Sequence, residues 1–150
     1  MSAQQVANSS FELDSETLGD YLERHIEGFK GPLTAAKFPK GQSNPTYRIQ
    51  AASGQYVLRR KPPGVLLKSA HAVDREFRVM TALYDTDVPV GKTYHLCMDD
   101  SVIGSAFFVM GFVEGRILWD PAMPNMTNAS RQAHYASMNR VLANVHSVNV

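Results

Sequence analysis

Residues 38–60 read Phe38-Pro39-Lys40-Gly41-Gln42-Ser43-Asn44-Pro45-Thr46-Tyr47-Arg48-Ile49-Gln50-Ala51-Ala52-Ser53-Gly54-Gln55-Tyr56-Val57-Leu58-Arg59-Arg60. Two runs rich in β-branched and aromatic residues flank a Ser53-Gly54 turn, which is typical of a β-hairpin. A polar bend precedes the first run, and an earlier strand should end near Phe38. We therefore predict an antiparallel sheet in which a polar loop leads into the first hairpin.

The polar bend consists of residue types that can hold phosphate. Backbone N–H groups of a turn with few large side chains can converge on an anion, and a cation on the next strand can reach the same anion. Because side chains alternate along a strand, Val57 and Arg59 should share one face. The bend contains one glycine, Gly41, so an ordinary hairpin loop stays an alternative.

The composition suits one globular domain or one lobe of a larger unit. The chain has 150 residues, 44% of them hydrophobic, and a net charge of +1, and its scattered charges argue against a nucleic-acid or membrane surface. With one cysteine, Cys97, no internal disulfide can form, and five scattered histidines give no zinc-ligand spacing. A cytoplasmic location is therefore the default expectation.

The chain start predicts neither a targeting segment nor an anchor. Residues 1–10 are polar and lack both a basic start and an apolar run, so we predict a disordered tail there. No apolar run approaches the roughly 20 residues that a membrane span needs.

Three segments have helical periodicity. Asp14 can cap a helix from Ser15 to about Ile26, a second helix should run from about Ala72 to Tyr84, and a third should begin near Thr127 or Asn128 and run toward His146. Their predicted apolar stripes are Leu18, Tyr21, Leu22 and Ile26; Val73, Phe77, Met80 and Tyr84; and Tyr135, Met138, Leu142 and Val145.

The remaining runs complete a five-stranded antiparallel sheet. Residues 93–98 and 105–110 should form two further strands, and the continuous apolar run 107–110 is typical of a strand buried on both faces. The predicted fold class is α+β, a sheet with one packed helix between the third and fourth strands. The third helix has no predicted partner, so its stripe calls for a second, helical body.

Glu76 lies at the border of the apolar stripe of the second helix. Its carboxylate either turns toward a neighbouring strand or is a solvated charge near Arg75 and Arg78, and spacing alone favours the solvated charge.

Five segments, in this order, resemble the amino-terminal lobe of the aminoglycoside phosphotransferase and choline kinase-like enzymes, relatives of the protein kinases. The resemblance is strongest to the phosphotransferase-like domains related to those fused to acyl-CoA dehydrogenases. The segments are Gly41-Gln42-Ser43-Asn44-Pro45-Thr46-Tyr47-Arg48, Tyr56-Val57-Leu58-Arg59-Arg60-Lys61-Pro62, Arg75-Glu76-Phe77, Phe107-Phe108-Val109-Met110-Gly111-Phe112-Val113-Glu114-Gly115 and Leu142-Ala143-Asn144-Val145-His146-Ser147-Val148.

The resemblance implies an ATP site on this lobe. In the family, a cation on the third strand binds the α- and β-phosphates and pairs with a carboxylate on the following helix, and Arg59 and Glu76 occupy those positions. Most kinases have Lys where this chain has Arg59, but a guanidinium can bind phosphate through two donors. The sequence leaves open whether Arg60 or Lys61 makes the contact instead.

The resemblance also implies which residues contact the adenine base and the β-phosphate. Ser43 and Asn44 would offer loop N–H groups to the β-phosphate, although Asn44 also suits a turn that caps its own loop. Val57 would cover the adenine and Met110 would lie behind it, with core packing as the alternative for both.

At the hinge between the lobes, the resemblance implies that the Gly111 carbonyl and the Val113 N–H bind the adenine edge. Residues 11–113 would then be the nucleotide-binding lobe, and residues 114–150 the hinge exit and the start of a helical lobe.

The resemblance implies a kinase that uses Mg²⁺. It also implies that the catalytic and magnesium-binding residues lie outside this chain. The family carries them on a His-Gly-Asp segment, an Asn five residues on and a later Asp, and no histidine here is followed by Gly-Asp. We therefore expect this chain to be part of a complete kinase and to be inactive alone.

Three functional hypotheses stay open. The first is an ATP-dependent phosphotransferase acting on a small-molecule hydroxyl, the second a non-catalytic nucleotide-binding or regulatory module, and the third an interaction domain that binds no nucleotide. The sequence leaves the acceptor open among hydroxyacyl thioesters, aminoglycosides and choline-like alcohols, and it leaves the oligomeric state open.

Overall fold

The structure is a computed structural model that describes residues 13–39, 44–62 and 72–149. The predicted disordered tail at residues 1–10 lies outside these ranges. The described elements, in chain order, are α1 (Ser15–His25), β1 (Leu33–Lys37), β2 (Thr46–Ala51), β3 (Gly54–Arg60), α2 (Val73–Leu83), β4 (Thr93–Cys97), β5 (Phe107–Gly111) and α3 (Asn128–His146).

The five strands form one antiparallel sheet with the order β1-β2-β3-β5-β4. This confirms the predicted sheet and fold class. The apolar run of β5 lies between β3 and β4, and Phe107, Phe108 and Val109 are fully buried. A continuous apolar strand is stable in this position because both of its faces are covered.

Helix α1 covers one face of the sheet. The Asp14 carboxylate accepts a hydrogen bond from the Glu16 N–H at 3.1 Å and so caps the helix as predicted. Leu18, Leu22 and Ile26 pack into a core formed by the inward side chains of the strands. The sequence prediction assigned one packed helix to the sheet, and the structure adds α1 as a second.

Helix α2 covers the opposite face. Val73 is buried against Phe108, and Phe77 and Met80 pack partly against the same cluster. The expected burial of Tyr84 is wrong, since Tyr84 is 46% exposed. The last helical residue is Leu83, and Tyr84 is the C-cap, one position beyond it.

Helix α3 stands apart from both layers. None of its residues is buried, and the four residues of its predicted stripe are 42–60% exposed. The side-chain amide of Asn144 donates to the Asp87 carbonyl at 2.8 Å, which connects α3 to the turn after α2. No described helix has the length and apolar character that a membrane span would require.

A cluster of rings joins α1 to β4. The Tyr21 hydroxyl is hydrogen-bonded to His95 Nε2 at 3.0 Å, and the His25 ring stacks on Tyr21 with centroids 4.0 Å apart. A register shift between Thr93 and His95 lets this edge strand turn its side chains toward α1. Burial, and then the nearby His25, lower the pKa of His95 below 6.5.

We predict that acidification loosens the packing of α1. Because the pKa of His95 in the folded protein lies below 6.5, the unfolded chain binds the proton first as pH falls, so stability decreases below that value. The measurement is the urea concentration at the midpoint of unfolding, determined at about pH 7 and about pH 5. His95→Gln should have a smaller pH dependence than the wild type, whereas His146→Gln, at the exposed end of α3, should not. Equal pH dependence in all three proteins would contradict the prediction.

Candidate functional site

A partly exposed ion pair joins β3 to α2. Arg59 Nε lies 2.9 Å from each carboxylate oxygen of Glu76, and the two side chains are 26% and 32% exposed. Arg59 lies on the sheet face that α2 covers, since its cross-strand partner Phe108 packs against Val73 of α2. The interpretation that spacing alone favoured, a solvated Glu76 near Arg75 and Arg78, is wrong, since this carboxylate pairs with Arg59 across elements and Arg78 pairs with Asp74.

Next to Arg59, Arg60 has a buried side-chain contact and Lys61 is bonded to the sheet through its backbone. Arg60 points to the opposite face and is 3% exposed, and its Nε donates to the Ser105 hydroxyl at 2.9 Å. That hydroxyl donates to the Lys61 carbonyl at 3.1 Å, and the Lys61 N–H donates to the Ala106 carbonyl at 2.9 Å. Of the three candidates, Arg59 is therefore the one that pairs with Glu76 on the α2 side.

Val57 and Met110 lie on the same face as Arg59. Val57 is paired with Arg48 on β2 and with Met110 on β5, so the three side chains form a row across the sheet. Met110 is half-buried, and Val57 is 6% exposed. The two residues predicted to contact the base are thus adjacent, and most of the Val57 side chain is covered.

The pairing pattern sets the orientation of Gly111 at the end of β5. The Phe112 N–H donates to the Gln55 carbonyl at 3.4 Å. Bonded and non-bonded positions alternate in an antiparallel pair, so the preceding pair, Tyr56 with Gly111, is a non-bonded one. The Gly111 amide groups therefore point away from β3, and the Gly111 N–H donates to the Lys92 carbonyl at 2.8 Å.

Val113 lies at the open end of this segment. Its residue surface is 71% exposed, and within the described part of the chain its N–H makes no hydrogen bond. A Cβ placed on Gly91 would lie 3.5 Å from both the Gly111 carbonyl oxygen and the Val113 side chain. The Gly111 carbonyl oxygen and the Val113 side chain therefore both lie beside Gly91.

The comparisons with known proteins identify the family. The model of the phosphotransferase enzyme family matches residues 34–150. The chain belongs to this phosphotransferase family. The predicted family resemblance is therefore confirmed.

Relatives of the phosphotransferase chain include much longer proteins. The chain is 46% identical over 136 residues to acyl-CoA dehydrogenase family member 10 of Mus musculus and 45% identical over 141 residues to acyl-CoA dehydrogenase family member 11 of Homo sapiens. These alignments include 87% and 91% of this chain but 13% and 18% of the relatives.

A solved structure has the same fold. A Ralstonia eutropha protein assigned to the aminoglycoside phosphotransferases is 49% identical and superimposes with a TM-score of 0.79 over 92% of this chain and 39% of that chain. The family and the fold together support a kinase-like lobe, in agreement with the predicted sheet and helix order.

The loop of this phosphotransferase lobe is partly described. Ser43, predicted to offer an N–H to phosphate, lies outside the described residues. Asn44 is 7% exposed, and its carbonyl accepts a hydrogen bond from the Thr46 hydroxyl at 3.1 Å. The Pro45 carbonyl accepts from the Arg60 N–H at 3.0 Å, so the loop returns directly onto β3.

The cavity beside α1 suits a phosphate less well than the Arg59 face does. A cavity of about 410 Å³ lies beside α1, on the sheet face opposite Arg59, and carboxylates of Glu16, Asp20 and Glu23 line it. Three negative charges oppose the binding of a phosphate. Among the residues that the structure describes, no three His, Cys, Asp or Glu side chains are placed to hold a metal ion.

Sequence reasoning missed one contact in this region. The Arg48 guanidinium carbon lies 4.7 Å from the centroid of the Phe112 ring, and Arg48 Nη2 donates to Gln55 Oε1 at 2.7 Å. Alternation places Arg48 on the face of Val57, but nothing in the spacing indicates Phe112, which is 64 positions away along the chain.

We predict that the two adjacent arginines contribute unequally to stability. Arg60→Met should lower the free energy of unfolding by about 1–3 kcal/mol, because it leaves the buried Ser105 hydroxyl without its donor. Arg59→Met should cost about 0–1 kcal/mol, because its ion pair is partly solvated. Urea unfolding of both variants without nucleotide checks this. An Arg59 variant that is the less stable of the two would contradict the assignment of faces.

Proposed function

We propose that this chain is the ATP-binding lobe of a phosphotransferase that transfers the γ-phosphate of ATP to a hydroxyl group of a small molecule. The observation that carries the proposal is the Arg59–Glu76 ion pair, at 2.9 Å on a partly open face. Membership of the phosphotransferase family supports it.

The geometry of the pair suits phosphate binding. The contact with Glu76 uses Arg59 Nε, which leaves the terminal Nη groups as donors for an anion. A carboxylate that holds the guanidinium in one orientation reduces the conformational entropy that Arg59 would lose on binding a diphosphate. Charge-assisted hydrogen bonds to phosphate are among the stronger polar contacts in proteins.

The base would bind at the other end of β3. The Gly111 carbonyl and the Val113 N–H would accept from and donate to the adenine edge, with Val57 above the ring and Met110 behind it. Asn44 lies two residues before Thr46, the cross-strand partner of Arg59, and the β-phosphate would bind there with help from Ser43.

ATP would carry Mg²⁺, which neutralises phosphate charge during phosphoryl transfer. The described residues supply no carboxylate cluster for it, and Glu76 is engaged by Arg59. We assign the magnesium ligands and the carboxylate that orients the acceptor hydroxyl to a helical second lobe that begins with residues 114–150. The exposed apolar stripe of α3 supports such a lobe, because it offers a surface on which further helices can pack.

The acceptor is a small molecule with a hydroxyl group. Family members differ in what they phosphorylate, and the dehydrogenase relatives favour a hydroxyacyl thioester over an aminoglycoside or a choline-like alcohol only by association. The residues that would contact the acceptor belong to the second lobe.

We predict that Arg59→Ala weakens the binding of Mg-ATP. Loss of charge-assisted hydrogen bonds worth about 1.5–3 kcal/mol corresponds to a dissociation constant roughly 10- to 150-fold higher. Glu76→Gln should weaken binding less, because the guanidinium remains but is less well oriented. The measurement is calorimetric titration of the complete natural protein with Mg-ATP.

Arg75→Ala is the matched control for this experiment. Arg75 is exposed on the same helix as Glu76, so its removal changes the net charge equally without touching the pair. Unchanged affinity in Arg59→Ala would remove the assignment of Arg59. Saturable binding by the wild type without phosphate transfer to any hydroxyl compound would favour a regulatory nucleotide-binding module, and no saturable binding would favour an interaction domain.

A further inference from the structure

The segment after β5 is held to the sheet by few backbone contacts. The Phe112 N–H reaches the Gln55 carbonyl at 3.4 Å, which is long for an N–H···O bond. From Val113 to Asp120 every residue is exposed. Backbone hydrogen bonds alone therefore fix the position of the hinge loosely on the β3 side.

A side-chain arrangement reinforces this position. Arg48 lies on β2, its guanidinium carbon is 4.7 Å from the Phe112 ring centroid, and its Nη2 donates to Gln55 Oε1 at 2.7 Å. Gln55 is the residue whose carbonyl accepts the Phe112 N–H. Arg48, Gln55 and Phe112 therefore form a closed set of contacts, which we call the hinge clamp.

Arginine is the residue type that this arrangement requires. A planar guanidinium can stack on a ring and donate in its plane at the same time, whereas a lysine ammonium cannot do both. Among the described residues, no carboxylate lies within salt-bridge distance of Arg48. Its partners are a ring and an amide, and both fix it beside the hinge.

The hinge clamp lies next to the backbone groups that would hydrogen-bond to adenine. Phe112 stands between Gly111 and Val113 in the chain, and Arg48 is paired with Val57 across β2 and β3. We propose that Arg48 is a positioning residue that holds the hinge beside β3 and so keeps the Gly111 carbonyl and the Val113 N–H in the orientation in which they would meet the adenine edge. This inference rests on the proposed function and adds a determinant of base selectivity to it.

The first test compares nucleotides. In the complete natural protein, Arg48→Ala and Phe112→Ala should each raise the dissociation constant of Mg-ATP roughly threefold to tenfold, and the double variant should be no weaker than either single one. The affinity for Mg-GTP should change less, so that the preference for adenine falls. Affinity for inorganic tripolyphosphate with Mg²⁺ should stay unchanged, because the clamp does not touch the phosphate end.

Two further variants separate a clamp from simpler effects. Arg48→Lys keeps the charge but not the stacked geometry, so it should restore little of the adenine preference. If Arg48 acted as a long-range charge on phosphate, Arg48→Lys would restore ATP affinity fully and overturn the proposal. Thr34→Ala is the matched control, since Thr34 is exposed on the same sheet face, is paired with no residue of the hinge clamp and should leave the preference unchanged.

The second test needs no nucleotide. Amide hydrogen exchange at residues 111–113 should be faster in Arg48→Ala than in the wild type or Thr34→Ala. Equal exchange in all three proteins would overturn the clamp. If exchange rises as expected but the wild type binds no Mg-ATP, the clamp stands as a structural device while the proposed function and the role in reading adenine both fail.

Discussion

The pairing of β3 with β2 on one side and β5 on the other is the constraint on which the molecule depends. Side chains alternate along β3, so Leu58 enters the core under α1 while Arg59 faces α2. A shift of one residue in this register would exchange the two faces and bury Arg59 where Arg60 now meets Ser105. The buried side chains of β5 oppose such a shift.

The same strand connects the two ends of the candidate site. Arg59 stands near one end of β3 and Gln55 near the other, about 13 Å apart at the rise per residue of a strand. Phosphates at the first and a base at the second would therefore lie along a single rigid element. Each end is also tied to another element, the Arg59 end to α2 through Glu76 and the Gln55 end to the hinge through Phe112.

Local patterns in the sequence predicted the strands, the Asp14 cap and the apolar stripe of α1, because alternation, caps and helical spacing involve neighbours along the chain. The sequence could not show which of Arg59, Arg60 and Lys61 meets Glu76, since that depends on which sheet face α2 covers. The predicted burial of Tyr84 was wrong for a similar reason, because spacing gives the side of a helix but not where the helix ends. The stack of Arg48 on Phe112 depends on the nonlocal pairing of β2, β3 and β5.

Helix α3 differs from the rest because its apolar side chains do not contribute to the core. The described residues of both core clusters come from α1, α2, the strands and the segments that flank them, and none comes from α3. The contact of α3 with this lobe through Asn144 is a single polar one to a backbone carbonyl, which orients the helix without burying its stripe. An apolar stripe at helical spacing has a free-energy cost in water. A helix that meets the first lobe through an amide and leaves Tyr135, Met138, Leu142 and Val145 exposed would lower this cost by packing against further helices, which supports the proposed second lobe.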